Sequence, residues 1–359
     1  MTFKEHFNTS AEITYLNTPG NGLIPKNTLL WRENWDKQFY AVHSDSRDQQ
    51  KQFLTGVRET VAKFFDADQA STFLTPNFSF AYSTLVDLLP KHYSYLVIDE
   101  EYPSLEYPII SRRLKKFSIR ANENLEEQIT ETVDEYNPDV LVLSIVHYIT
   151  GLKIDLEFIK KLKKSNPGLL IIADGTQFLG TEVFSFRNSG FDAIASSGYK
   201  WLLSGFGNGF LLINEHFQKR LENLIYELPT PTAPMWEGKS KLSTFFEPGH
   251  QDNLSHGTLQ QSLLFLEKLG LQNIQNHTQQ VCDQAYEIFE KAGLLLPVIN
   301  GRKTRSSLIN LQIDPAFYPL LLENGVKCFP RGTGIRIGIH LYNDFQDIQS
   351  LFNIIDKVK

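Results

Sequence analysis

The sequence reads as an α/β chain: a mostly parallel sheet flanked by helices, followed by a smaller α+β C-terminal part. Three observations carry this. Short apolar runs recur through the first two thirds, helical patterns alternate with them, and after Gln279 the order changes to helix, strands and helix. The strand candidates are Leu96–Asp99, Val140–Val146, Leu169–Ala173, Ala193–Ser196 and Phe210–Ile213, apolar on both faces as covered parallel strands must be. Gln49–Phe65, Leu125–Tyr136 and Asp155–Lys164 carry the helical spacing.

The remaining elements follow in order. Glu227–Lys239 is rich in Pro and Thr and is predicted irregular. Leu254–Leu271 is predicted as a long amphipathic helix with Leu259, Leu263 and Leu266 on one side. A closing helix is expected over Asp344–Lys359, where Phe345, Ile348, Leu351, Phe352 and Ile355 recur at helical spacing as a core stripe. A chain of 359 residues exceeds one ordinary core. The expected division is a large domain over 15–250, a connecting helix over 251–279, and a small domain built from 1–14 and 280–359.

Composition narrows the function classes. A net charge of −6 and only one short basic run, Lys160–Lys164, argue against nucleic-acid binding. The N-terminus has no apolar secretion signal, and no segment is long and apolar enough to span a bilayer, so neither secretion nor a membrane is expected. The cysteines are Cys282 and Cys328, without metal-ligand spacing, and the nine histidines do not cluster. A cytoplasmic protein without a metal site is expected.

The most informative stretch runs from Ala173 to Ile213. One apolar run ends at Asp174, and a second ends just before Lys200. In an open α/β sheet the ligand crevice lies at the carboxyl ends of the strands, so Asp174, Gln177, Ser197 and Lys200 are predicted to face one pocket. A lysine there can form a Schiff base with an aldehyde. Pyridoxal phosphate (PLP) needs such a lysine together with an acid that keeps its ring nitrogen protonated, which fits Lys200 and Asp174.

Asp174-x-x-Gln177, then Ser197-Gly198-Tyr199-Lys200 and a Gly-rich strand, resemble the class V aminotransferases among the fold-type I PLP enzymes. Cysteine desulfurases, kynureninases, selenocysteine lyases and phosphoserine aminotransferases are relatives in that group. The resemblance extends from about Tyr15 to the C-terminus. It implies a PLP-binding large domain, a homodimer with a shared active site, and a set of roles for particular residues.

Thr72–Ser83 occupies the place of the family's Gly-x-Thr phosphate loop, although Pro76 stands for its glycine and Phe78 for its threonine. The phosphate would then rely on backbone N–H groups around Phe78 and on the Asn77 side chain. Ser197 corresponds to a phosphate-binding serine, and the Tyr199 hydroxyl could serve the same oxygen. Gly249-His250 corresponds to a pair that reaches the phosphate from the partner subunit. Tyr102 matches the aromatic stacked on the cofactor ring, and Tyr148 stands where desulfurases carry Asn. Arg336 resembles the arginine that holds the substrate carboxylate, with Arg331 as a competing candidate, and Asn17 borders the substrate.

Three functions stay open on the sequence. Transamination between an α-amino acid and a 2-oxo acid, with Lys200 as covalent anchor and proton shuttle, is the favoured one. A lyase or desulfurase is the second, although Cys328 reads as a strand cysteine rather than a loop nucleophile. A non-catalytic protein of the same fold is the third. GFGNGF (Gly205–Phe210) lacks the spacing of a dinucleotide loop and leads into a strand.

Overall fold

The computed structural model describes residues 3–10, 12–42, 46–233 and 236–357. Pro234 and Met235 of the predicted irregular segment, and Val358 and Lys359 of the predicted last helix, lie outside them. Strand β1 (Thr14–Tyr15) comes first. The central sheet is built from β2 (Thr72–Thr75), β3 (Ser94–Ile98), β4 (Lys115–Ile119), β5 (Val140–Ser144), β6 (Leu170–Asp174), β7 (Ala193–Ser197) and β8 (Gly209–Ile213). The chain then adds β9 (Leu308–Leu311), β10 (Val326–Lys327), β11 (Phe329–Arg331) and β12 (Gly334–Gly338).

The central sheet has the order β2-β8-β7-β6-β5-β3-β4. Strands β3 to β7 run parallel, and β8 is antiparallel to both β7 and β2. Each inner strand divides its side chains between two cores by the two-residue period of a pleat. Leu141, Leu143, Ile171 and Ala173 enter one core. Val140, Val142, Leu170 and Ile172 enter the other. Each such fully buried Ile, Leu or Val contributes about 1.5–3 kcal/mol relative to leaving it in water.

Caps set where the helices begin. Asn77 accepts from Phe80 N and opens the helix Phe78–Leu88, and Asp155 accepts from Glu157 N and opens Leu156–Ser165. The predicted helix at Leu254–Leu271 is observed as Asn253–Leu269. It stops at Gly270, whose φ of +85° turns the chain into a second helix, Leu271–Lys291. In the last helix, Phe345–Asp356, Ile348, Leu351 and Ile355 are buried as expected, whereas Phe345 is exposed.

Toward the C-terminus β11, β12 and β9 form an antiparallel sheet, and β1 pairs in parallel with β10. The chain's beginning is tied to this sheet: Leu16 N donates to Lys327 O, and Gly338 N donates to Leu16 O. No helix among the described residues is long and apolar enough to cross a membrane.

Candidate active site

The carboxyl ends of β5, β6 and β7 open into a cavity of about 320 Å³. Ser144 and Asp174 are register partners at the ends of β5 and β6, and β7 ends at Ser197. The crossover rule for parallel sheets therefore places the polar residues where the sequence put them.

Asp174 is buried, and its Oδ1 accepts from Thr176 N at 2.8 Å in a turn the carboxylate itself stabilises. Burial pushes this carboxyl above its ordinary range, against the hydrogen bonds from Thr176 and the charge of Lys200. Lys200 sits in a tight turn after β7, in which Leu203 N donates to Lys200 O and Ser204 N to Gly198 O. Its amine is buried and makes no hydrogen bond or ion pair. Its Nζ lies 5.8 Å from the centre of the Tyr102 ring and 5.3 Å from that of Tyr199. Burial pushes the ammonium well below the ordinary lysine range; Asp174 opposes this, and Arg336 and Arg331 add to it.

At the other end of the cavity the helix Phe78–Leu88 begins. Phe78 N donates to Ser197 Oγ at 2.9 Å, and Ser197 N donates to Thr176 Oγ1 at 3.1 Å. Strand β8 passes close behind: a Cβ on Gly209 would stand 3.0 Å from Asn77 Cα. A helix N-terminus with a serine hydroxyl in front of it suits a phosphate. A buried free amine, a buried carboxyl and a neighbouring aromatic ring suit the rest of PLP, so the residues present fit that cofactor.

Several expected side chains are already engaged. Asn77, expected to reach the phosphate, lines the cavity, and its oxygen caps the helix. Phe78 also lines the cavity, and its buried ring is stacked on Tyr82 at 5.5 Å. Gln177 lines the cavity with both ends of its amide engaged, Nε2 donating to Pro19 O and Oε1 accepting from Trp201 Nε1. Tyr148 meets Tyr102 edge-on at 5.4 Å, and Tyr199 stacks on Phe206. His250 lies outside this cavity, in a separate one beside Trp35 and Phe39, with Nδ1 2.9 Å from Gln50 Oε1.

Strand β12 does not line the cavity itself but adjoins it behind Tyr148, which does. Arg336 is buried, Nη1 donates to Tyr148 O at 2.7 Å, and Nε has no partner. Burial pushes this guanidinium down to about 10, and the nearby Arg331 adds to the effect. Gly334 and Gly338 flank it, and a Cβ on Gly338 would come within 2.2 Å of Pro19 Cδ. Asn17, bridged to Gly338, has a buried Oδ1 without a partner.

Sequence reasoning missed several contributors. Glu101 is buried and accepts from Ser144 N at 2.7 Å and from Ser144 Oγ at 2.5 Å, fixing the end of β5. Thr176 joins the Asp174 turn to Ser197, and Trp201 holds Gln177. Only Thr176 carried a local signal, two residues after an aspartate in a turn sequence. Neither cysteine lines the cavity, and no group of three His, Cys, Asp or Glu among the described residues could hold a metal ion.

A model of the family "Aminotransferase class-V" matches residues 14–351. The chain is 23% identical over 310 residues to "Uncharacterized aminotransferase YcbU" of Bacillus subtilis (strain 168), covering 81% of this chain and 80% of that protein. It is 22% identical over 379 residues to "Uncharacterized aminotransferase C777.03c" of Schizosaccharomyces pombe, covering 97% and 92%. The fold is like that of an apo cysteine desulfurase from Thermococcus onnurineus NA1, with a TM-score of 0.84 at 16% identity over 99% and 96% of the two chains. It is similarly like the cystine C-S lyase C-DES, solved with cysteine persulfide, at a TM-score of 0.84 and 18% identity over 96% and 98%. With a matched segment that spans both the lysine turn and the arginine strand, the chain belongs to the class V aminotransferases, a PLP-dependent family.

Proposed function

We propose that this protein is an aminotransferase that moves an amino group between an α-amino acid and a 2-oxo acid. The names of the relatives support this choice over a lyase, and one observation sets a desulfurase with a cysteine nucleophile aside. Cys282 and Cys328 are both buried away from the cavity, and burial pushes both thiols up to about 12, so the chain offers no thiolate to accept sulfur.

PLP, when bound, supplies a carbonyl for the amine and an electron sink for a bond at the substrate Cα. This chain supplies the rest. Lys200 would anchor the cofactor and, with its amine biased toward neutral, would take the proton from the substrate Cα and deliver it to the carbon that was the cofactor's carbonyl. Asp174 presents a buried carboxyl to the ring nitrogen. Ser197 and the backbone at Phe78 would hold the phosphate, and Tyr102 would supply an aromatic face for the ring. Arg336 takes the substrate carboxylate through a planar fork, with Asn17 beside it.

A second copy of the chain belongs to this reading. Leu29, Leu30, Phe39 and Tyr40 are exposed on the helix Lys26–Val42, next to the cavity that holds His250, and a dimer would cover them. The unpaired cysteines fit a reducing cytoplasm.

The test is to incubate the PLP-loaded protein with single amino acids and follow its visible absorbance. Transamination converts the cofactor to its amine form, and a 2-oxo acid restores it. Release of pyruvate with ammonia or sulfide, without that reversible change, would overturn the reading in favour of a lyase.

A further inference from the structure

The hairpin β11–β12 sets a second guanidinium beside the first. In an antiparallel pair, directly opposed residues share a face, and so do residues two apart on one strand. Phe329 opposes Arg336, and Arg331 stands two residues beyond Phe329, so all three share one face. Asn310 of β9, opposite Arg336, lies on it as well.

That face meets the loop at Tyr148 and Ile149, and Tyr148 lines the cavity. Arg336 bonds Tyr148 O, and Asn310 Nδ2 donates both to Ile149 O at 2.8 Å and to Arg331 O at 3.0 Å. The hairpin tip presses on the same loop, since a Cβ on Gly332 would lie 2.8 Å from Ile149 Cγ2. The Arg331 side chain lies across the Phe329 ring at 4.9 Å and makes no ion pair. Its charge acts on Lys200, Arg336 and Tyr148 alike, lowering the pKa of each.

The charges on this face do not balance. The α-carboxylate of an amino acid compensates one guanidinium, and the buried Arg336 is the one that requires it. A second cation, aimed from the same face and without a carboxylate of its own, remains. We propose that Arg331 receives a second anionic group on the substrate side chain, so that the amino acid bound here is an acidic one. This rests on the reading of Arg336 as the α-carboxylate anchor.

The experiment titrates the PLP-loaded protein with L-aspartate, L-glutamate, L-asparagine, L-glutamine and L-alanine and reads each dissociation constant from the cofactor absorbance. The acids are expected to bind about tenfold more tightly than their amides. Arg331→Gln should erase that difference, change the constant for L-alanine far less than that for L-aspartate, and leave the melting temperature where it was, because the side chain is exposed. Acids and amides binding equally to the unaltered protein, or a variant that weakens alanine as much as aspartate, would overturn the inference and leave the amino-acid site standing. Absence of any response to all five, with PLP still fixed on Lys200 by borohydride, would overturn both.

Discussion

The cavity at the sheet end and the β12 strand that adjoins it behind Tyr148 differ in how far their polar groups are paired. At the sheet end the polar groups mostly satisfy one another: Asp174 holds Thr176, Thr176 holds Ser197, Ser197 holds Phe78, and Asn77 caps its own helix. At the β12 end, Arg336 Nε, Asn17 Oδ1 and Asn310 Oδ1 are buried with nothing to bond. A buried polar atom without a partner costs stability, and of these three only Arg336 Nε is a donor, the one that an anionic group would satisfy.

That contrast breaks in distinct ways. The largest effect is expected from Lys200→Ala, which removes the amine from the cavity. Turnover should fall by about 10³-fold or more, and borohydride should add no cofactor mass to the polypeptide. Survival of a reducible covalent link in that variant would remove the anchor from the account.

Arg336→Met tests the unpaired groups at β12. The Michaelis constant for amino acids should rise by about 100-fold, while the melting temperature of the cofactor-loaded protein holds or rises, because a buried cation without a counter-charge is lost. A melting temperature that drops sharply would mean that Arg336 serves the fold rather than the substrate.

The smallest effect concerns the seam where β12 meets Pro19. Gly338→Ala drives a methyl group into Pro19 and should lower stability by about 1–3 kcal/mol, measured by urea unfolding. Activity per folded molecule should fall as well, since Asn17 is bridged to Gly338, on the strand that carries Arg336. Unchanged stability would show that the seam gives way easily.

How much of this was readable without coordinates follows the same division. Asp174 and Lys200 stood out because each ends a local apolar run, and local runs are what a sequence displays. The central strands and the capped helix after Asp155 were legible for the same reason. Strand β2 was hidden inside the supposed phosphate loop, since TFLT becomes a strand only by pairing with β8, far along the chain. Strand β4, KKFSI, is exposed along most of its length and has no apolar run to betray it.

The same distance in sequence concealed the side-chain roles. Nothing near Phe78 says that its ring turns inward onto Tyr82, and nothing near Glu101 says that it clamps Ser144. Arg331 and Arg336 were rivals for one role in the sequence. The strand register gives them one shared face, and with it room for two roles.

The lysine turn is gripped from both ends of the polypeptide. Gly22 N donates to Tyr199 O, and Gly22 packs so tightly that a Cβ there would lie 2.0 Å from Lys200 O. From the other end, His340 Nε2 lies 2.9 Å from Trp201 O. The position of the amine therefore depends on segments far from it in sequence on either side, and a change at Gly22 or His340 reaches the lysine without touching its side chain.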